Sequence, residues 1–374
     1  MTVHKKGFYL SLFATALAMV VVVLGAYTRL VHAGLGCPDW PGCYGFLTVP
    51  ETAEAIELAE SRFPDAPVEV EKGWPEMIHR YVAGLLMLAV LSIAVLSFRH
   101  RKEAERSVKL PFFILGLVMI QAAFGMWTVT LKLWPQVVTA HLLGGFATFS
   151  LLFLLTLRLS GLKWRKLPSS GRLDNLRTLS LVSLMVIVIQ ITLGGWTSSN
   201  YAALACPELP TCQGQWLPPV DFAEGFDVGQ SIGPNYLGGQ MDSQGRTAIH
   251  LAHRAGAIVS LLLLCFLFTR VYRYRRELSF TERGGLGRIT SLVALALLIQ
   301  VCLGLSNIIW HLPLAVAVAH NLGGALLLLS LVALNYRLSD RLSEQLSGQL
   351  SGQYSVEAGE HLHISSGSGE GVRT

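Results

Sequence analysis

The strongest constraint on this chain is a set of charge-free apolar runs, at residues 7–28, 81–98, 110–131, 133–157, 178–205, 255–269 and 289–336. A spanning helix needs roughly 20 mostly apolar residues. The last run, 48 residues from Ile289 to Tyr336, therefore holds two spans divided near His311 and Pro313. Eight membrane-spanning helices are predicted. Composition agrees: 52% of residues are hydrophobic and 14% charged, whereas a soluble domain carries about 25% charged residues. An ordinary soluble domain is excluded.

The formal charge of +5 needs no nucleic acid to explain it, because the basic residues follow membrane topology. With the N-terminus inside, all but seven of the 29 Lys and Arg fall on inner segments. The seven are Arg29, Arg62, Lys72, Arg80, Lys132, Arg246 and Arg254. Both termini are then cytoplasmic. Val31-His32-Ala33 resembles a signal-peptide cleavage site, but the first run reads as a retained span. Its end, Leu24-Gly-Ala-Tyr-Thr28, returns as Leu193-Gly-Gly-Trp-Thr197.

That return belongs to a longer internal repeat. Cys37-Pro-Asp-Trp-Pro-Gly-Cys43 matches Cys206-Pro-Glu-Leu-Pro-Thr-Cys212, His79-Arg80 matches His253-Arg254, Gln121-x-x-x-Gly125 matches Gln300-x-x-x-Gly304, and Ala140-His141 matches Ala319-His320, at offsets of 169, 174, 179 and 179. The expected fold is all-α and integral to the membrane, with eight transmembrane helices as two tandem four-helix bundles. An even number of spans per unit relates them by a pseudo-two-fold axis along the membrane normal. The expected boundaries are 1–175 for the N-terminal half, 176–337 for the C-terminal half, and 338–374 for a disordered Gly/Ser-rich cytoplasmic tail. Long outer loops, roughly 30–75 and 199–247, follow the first and fifth spans, and 51–62 has the spacing of a short amphipathic helix.

Four histidines, His79, His141, His253 and His320, fall a few residues inside the outer ends of the even-numbered spans. An ionisable group inside a bilayer is costly, so each is a functional candidate, although a lone one could simply tether two helices. Matched depth lets His79 face His141 and His253 face His320. Two imidazoles from facing helices are a common way to hold a haem iron in a bundle. A zinc or copper site lacks a third ligand in either pair. Arg29, Arg80 and Arg254 stand at the outer boundary, where they either snorkel to the interface or reach haem propionates.

The repeat is imperfect where it matters. Glu76 lies one turn outward of His79, and the position matching it holds His250. A carboxylate there is either a helix N-terminal acid meeting the macrodipole or a group that moves protons and stabilises positive charge on a substrate carbon. The first half then reads as the reactive site and the second as the seat of a fixed cofactor. Cys37 with Cys43, and Cys206 with Cys212, lie outside, where disulfides form readily. Their spacing leaves open whether they are staples or exchange electrons. Cys265 and Cys302 read as packing residues within helices.

Gly25-Ala-Tyr-Thr-Arg29, Gly34-Leu-Gly-Cys-Pro-Asp-Trp-Pro41, Glu76-x-x-His79-Arg80 and the paired His-x-x-Gly-Gly segments resemble the haem A synthase family over about residues 7–336. The resemblance implies haem O as substrate, held by His79 and His141, and a haem b cofactor held by His253 and His320. It implies that Glu76 is catalytic and that the Cys37–Cys43 pair takes part in turnover. The implied reaction oxidises a haem O methyl group to a formyl group, giving haem A for terminal oxidases. It implies a bacterial plasma (inner) membrane location, haem O synthase as donor, and a quinone or other electron acceptor. The second Cys pair and the tail depart from the family pattern. The competing reading is a dihaem b-type electron carrier that modifies neither haem; a thiol-to-quinone enzyme leaves the histidines unexplained, and a transporter rests on the repeat alone.

Overall fold

The computed structural model describes residues 5–102, 108–162, 167–168 and 170–339, less the side chains of 281 and 282. Beyond Ser339 the expected tail lies outside the described residues. The helices are α1 Phe8–Leu30, α2 Ala53–Arg62, α3 Val70–Arg99, α4 Lys109–Thr130, α5 Pro135–Leu159, α6 Gly171–Ser199, α7 Phe222–Gly225, α8 Ser243–Arg275, α9 Phe280–Ile309 and α10 Leu314–Leu338. Among the described residues there is no strand beyond two isolated bridges in the disulfide loops. All of these helices except α2 and α7 are long and apolar enough to cross a membrane, eight in total. The protein is a multi-pass membrane protein.

The helices pack as two rings. α1 lies on α3 and α5, and α4 closes the ring by lying on the same two helices. α6 lies on α8 and α10, and α9 closes the second ring. The rings meet where α5 touches α6 and α10, and where α1 touches α10. This is the neighbour pattern expected of two tandem bundles. α5 and α10 stand at the junction and are the most buried spans, whereas α9 is the least buried. Exposed leucines on α9, among them Leu292 and Leu298, suit acyl chains, which are as apolar as leucine itself.

Buried polar groups join the helices near the ends away from the long loops. Thr156 on α5 meets Ser11 and Thr15 on α1 at 2.8 and 2.9 Å, and Asn335 on α10 donates to the Ser180 carbonyl on α6 at 3.2 Å. Small hydroxyl residues let backbones approach and satisfy one another where no water is available. At the ends that carry the long loops, α1 and α6 close with His32 and Tyr201 at φ 57 and 56°, and α4 and α9 close through Lys132-Leu133 and His311-Leu312, all with positive φ. In these turns the amides of Ala33, Ala202, Leu133 and Leu312 return to carbonyls of the last helical turn.

Two expectations need correction. α3 and α8 begin at Val70 and Ser243, a few residues before the loop ends expected near 75 and 247, so Lys72 and Arg246 are helical rather than in the loops. Cys265 and Cys302 are exposed on their helices rather than packed inside; a thiol is apolar enough to face lipid. The short helix expected at 51–62 is α2, capped by the Thr52 hydroxyl accepting from the Ala55 amide.

Candidate functional site

His79 on α3 and His141 on α5 face each other, with ring centroids 6.4 Å apart and planes at 81°. A transition metal bound about 2 Å from one nitrogen of each of two opposed imidazoles places their centroids about 6 Å apart. The spacing fits. In the second ring His253 on α8 lies close enough to His320 on α10 for the two to interact electrostatically. All four histidines lie within the protein, each part-buried.

Each ring owes its position to a glycine on a neighbouring helix. A methyl group built on Gly25, Gly125, Gly194 or Gly304 would lie 3.0, 3.5, 3.1 or 3.2 Å from Cε1 of His79, His141, His253 or His320. Nδ1 of His79, His141 and His320 has no hydrogen bond of ordinary geometry, although each ring lies against a backbone group, of Val21, Gln121 and Gln300. Such a contact sets ring orientation and, for His79 and His141, leaves the other nitrogen for a metal; Nε2 of His320 lies 3.4 Å from Gln300 Nε2. In the second ring only, a glutamine side chain adds to this: Gln190 Nε2 is 3.1 Å from His253 Nδ1, where the first ring has Val21. The donor set and the glycine cradles fit a haem in each ring.

Glu76 is buried one turn outward of His79. One oxygen pairs with Arg80, and the other accepts from the Cys37 amide at 3.0 Å. The carboxylate thus ties this part of α3 to the disulfide loop. His250 occupies the equivalent place, equally buried, with Nδ1 3.0 Å from the Ala202 carbonyl and 3.3 Å from the Cys206 amide. The second ring keeps the link to its loop but carries no carboxylate there.

Both expected disulfides are formed, Cys37–Cys43 and Cys206–Cys212. The arginines lie close to them. Arg80 donates to the carbonyls of Asp39 at 3.0 Å, Pro41 at 3.3 Å and Gly42, and Arg254 to those of Thr211, Cys206 and Glu208 at 3.1, 2.7 and 2.8 Å. Asp39 closes the first loop by accepting from the Tyr44 and Gly45 amides, both at 2.7 Å. Arg29 crosses to the other ring, donates to the Ser198 carbonyl at 2.6 Å and stacks over Tyr201. Arg29 and Arg254 each keep a buried Nε without a partner.

Two groups outside the spans have shifted pKa values. Burial, and then the acidic side chains of Glu69, Glu60, Glu76 and Asp39, push the Tyr44 phenol up to about 12. Burial, and then the charges of Arg29 and Lys72, hold His32 below its usual value. His32 is therefore neutral when it stacks on Tyr201 across the two rings, with centroids 5.6 Å apart.

The outer segment after α7 straps the first ring. Trp134 Nε1 donates to the Gln230 carbonyl, Gln136 Nε2 to that of Val228, and the Tyr236 amide to that of Lys132, all at 3.0 Å. These contacts lie over the α4–α5 turn, just outside His141. Among the described residues no hydrogen bond joins the first outer loop to the α9–α10 turn.

Sequence reasoning singled out the histidines, Glu76, the arginines and the cysteines but missed the glycine cradles, the Asp39 loop closure and the strap. The glycines had a signal, since Gly25 and Gly194 recur at one offset, and Gly125 and Gly304 at another. Comparison with known proteins gives a consistent picture. Residues 8–332 match the family model COX15-CtaA, described as cytochrome oxidase assembly protein. The chain is 49% identical over 320 residues to a haem A synthase of Shewanella oneidensis, covering 86% of this chain and 93% of that one. It is 27% identical over 349 residues to a haem A synthase of Nitrosospira multiformis, covering 86% and 90%, and 28% identical over 351 residues to one of a Caulobacter species, covering 87% and 94%.

Proposed function

This chain belongs to the cytochrome oxidase assembly protein family, and we propose that it acts as a haem A synthase, an oxidoreductase that converts a methyl group of haem O to a formyl group. The observation that carries the reading is the opposed pair His79 and His141, cradled by glycines, with the buried Glu76 one turn away on α3. In this reading residues 1–175 hold the substrate haem O between His79 and His141. Residues 176–337 hold haem b between His253 and His320. Both sites face the outer side of a bacterial inner membrane, and the N-terminus and the tail face the cytoplasm.

Methyl-to-formyl oxidation takes up the oxygen of one water and releases four electrons and four protons. A quinone or other electron acceptor must take the electrons. Haem b supplies one-electron redox chemistry when bound. The work of the chain is to fix the substrate ring between the two imidazoles and keep the apolar macrocycle out of bulk water. Glu76 then faces the carbon that loses electrons: its negative charge stabilises the developing positive centre and accepts a proton from the adding water. Arg80 and the Cys37 amide hold that carboxylate in place, so the Cys37–Cys43 loop positions the acid. Arg29, Arg80 and Arg254 are the candidates to meet propionates; Arg29 and Arg254 each keep an unbonded Nε, while the terminal nitrogens of Arg80 also hold Glu76 and the loop.

The test is extraction and mass identification of the haems from protein purified after co-expression with a haem O synthase. Haem b together with haem O, its hydroxymethyl form or haem A supports the reading. Two unaltered haems b would favour the dihaem electron carrier instead.

A further inference from the structure

At the end of the molecule opposite the four histidines, α8 and α9 enclose a cleft of ≈ 600 Å³ lined by Arg275, Phe280, Arg283, Gly284 and Arg288. Among the described residues no carboxylate pairs with any of its three arginines, and nearby Glu277 is taken by Arg172. Arg276, next in the chain, turns away to the Tyr272 hydroxyl at 3.1 Å. Arg275 keeps a buried Nε without a partner. Its guanidinium lies against Gly287, where a methyl group would meet Cζ at 2.7 Å, so the glycine is what admits it. Arg283 uses Nε and one terminal nitrogen on the carbonyls of Leu278 and Arg276, both at 2.7 Å, and Arg288 makes only a long Nε contact, 3.4 Å, to Gly284. Among the described residues, donors are left over on all three.

Like charges gathered without counter-charges repel unless an anion joins them, and arginine forks match phosphate oxygens. The cleft also opens beside the first turn of α9, where helix amides add partial positive charge. Phe280 at its mouth is 92% exposed, and the α9 surface beyond continues with the exposed Leu292 and Leu295. A charged cleft that runs into an apolar helix face has the form of a phospholipid: phosphate in the cleft, acyl chains along the helix. We propose that Arg275, Arg283 and Arg288 bind the phosphate group of an anionic membrane phospholipid at the inner leaflet. A soluble phosphate shares the headgroup chemistry but leaves the apolar face uncovered.

The test uses the full chain, extracted in mild detergent and exchanged into nanodiscs of phosphatidylcholine with a minority of phosphatidylglycerol. Lipid that remains through a second purification is counted by mass spectrometry. The wild type should retain one phosphatidylglycerol per chain. The Arg275→Gln, Arg283→Gln and Arg288→Gln variants should each bind about fivefold more weakly, and Arg276→Gln, outside the cleft, should match the wild type. Gly287→Ala displaces Arg275 without removing charge and should reduce retention too, which separates a shaped site from general attraction. Haem content monitors folding of each variant. Equal retention by wild type and cleft variants overturns the proposal. Displacement of the lipid by millimolar inorganic phosphate would overturn the lipid as the source of the phosphate.

Discussion

The two four-helix rings hold the same histidines in the same glycine cradles and differ just outside them. In the first, Glu76 joins Arg80 and the Cys37 amide, and a strap from the other ring closes over the α4–α5 turn. In the second, His250 replaces the acid, Gln190 touches the axial candidate His253, and Trp310 at the corresponding turn stays exposed. Two rings of similar helix packing thus each present a histidine pair, while among the described residues only the first keeps a buried carboxylate one turn from its pair. The difference lies in a few side chains and one loop, not in the helices.

If that asymmetry is functional, the largest effect falls on the acid. Glu76→Ala should lower haem A formation by about 10²- to 10⁴-fold with both haems still bound, while His250→Ala should leave turnover near wild type; product haems identified by mass are the readout. The glycines come next. Gly25→Ala and Gly194→Ala place a methyl at 3.0 and 3.1 Å from His79 and His253, costing about 1–3 kcal/mol of packing, and each should lower haem occupancy in its own ring. Gly125→Ala, with its methyl at an ordinary 3.5 Å from His141, should be milder, as haem-to-protein ratios would show.

The disulfides sharpen the comparison further. Each closes a short loop of sequence separation 6, so losing either should cost about 2 kcal/mol of stability and lower the thermal midpoint similarly. Only Cys37→Ser with Cys43→Ser should also slow turnover, because only that loop holds Glu76. The smallest effect concerns the His32–Tyr201 stack. The His32 pKa is depressed in the folded protein, so its contribution is complete above the ordinary imidazole value of 6.5 and declines as pH falls below it. Mild acid should loosen the outer junction of the rings, seen as faster hydrogen exchange near residues 32 and 201, and His32→Phe should abolish the pH dependence.

Much of this was legible in the sequence. Charge-free runs count spans because a bilayer admits only satisfied backbones, and the offsets between Cys37 and Cys206 or His141 and His320 pointed to the two similar helix groupings. The early start of α3 and α8 was not visible, since Lys72 and Arg246 look like loop residues to any hydropathy reading. Neither was the engagement of Arg80 with its own disulfide loop, which depends on Asp39 and Pro41 folding back over the helix. The strap was hidden because 226–241 has no periodicity of its own and gains its shape from Trp134 and Gln136, far away in the chain. Local pattern reveals what the membrane demands of each segment; contacts between polar loops are decided by tertiary geometry.

The most direct measurement of division of labour compares two double variants, His79→Ala with His141→Ala and His253→Ala with His320→Ala, by absorption spectra and mass identification of bound haems. The first should retain haem b and lose haem O and its oxidised products; the second should lose haem b and still bind haem O without converting it. Loss of the same haem from both variants, or of neither, would contradict two distinct haem sites.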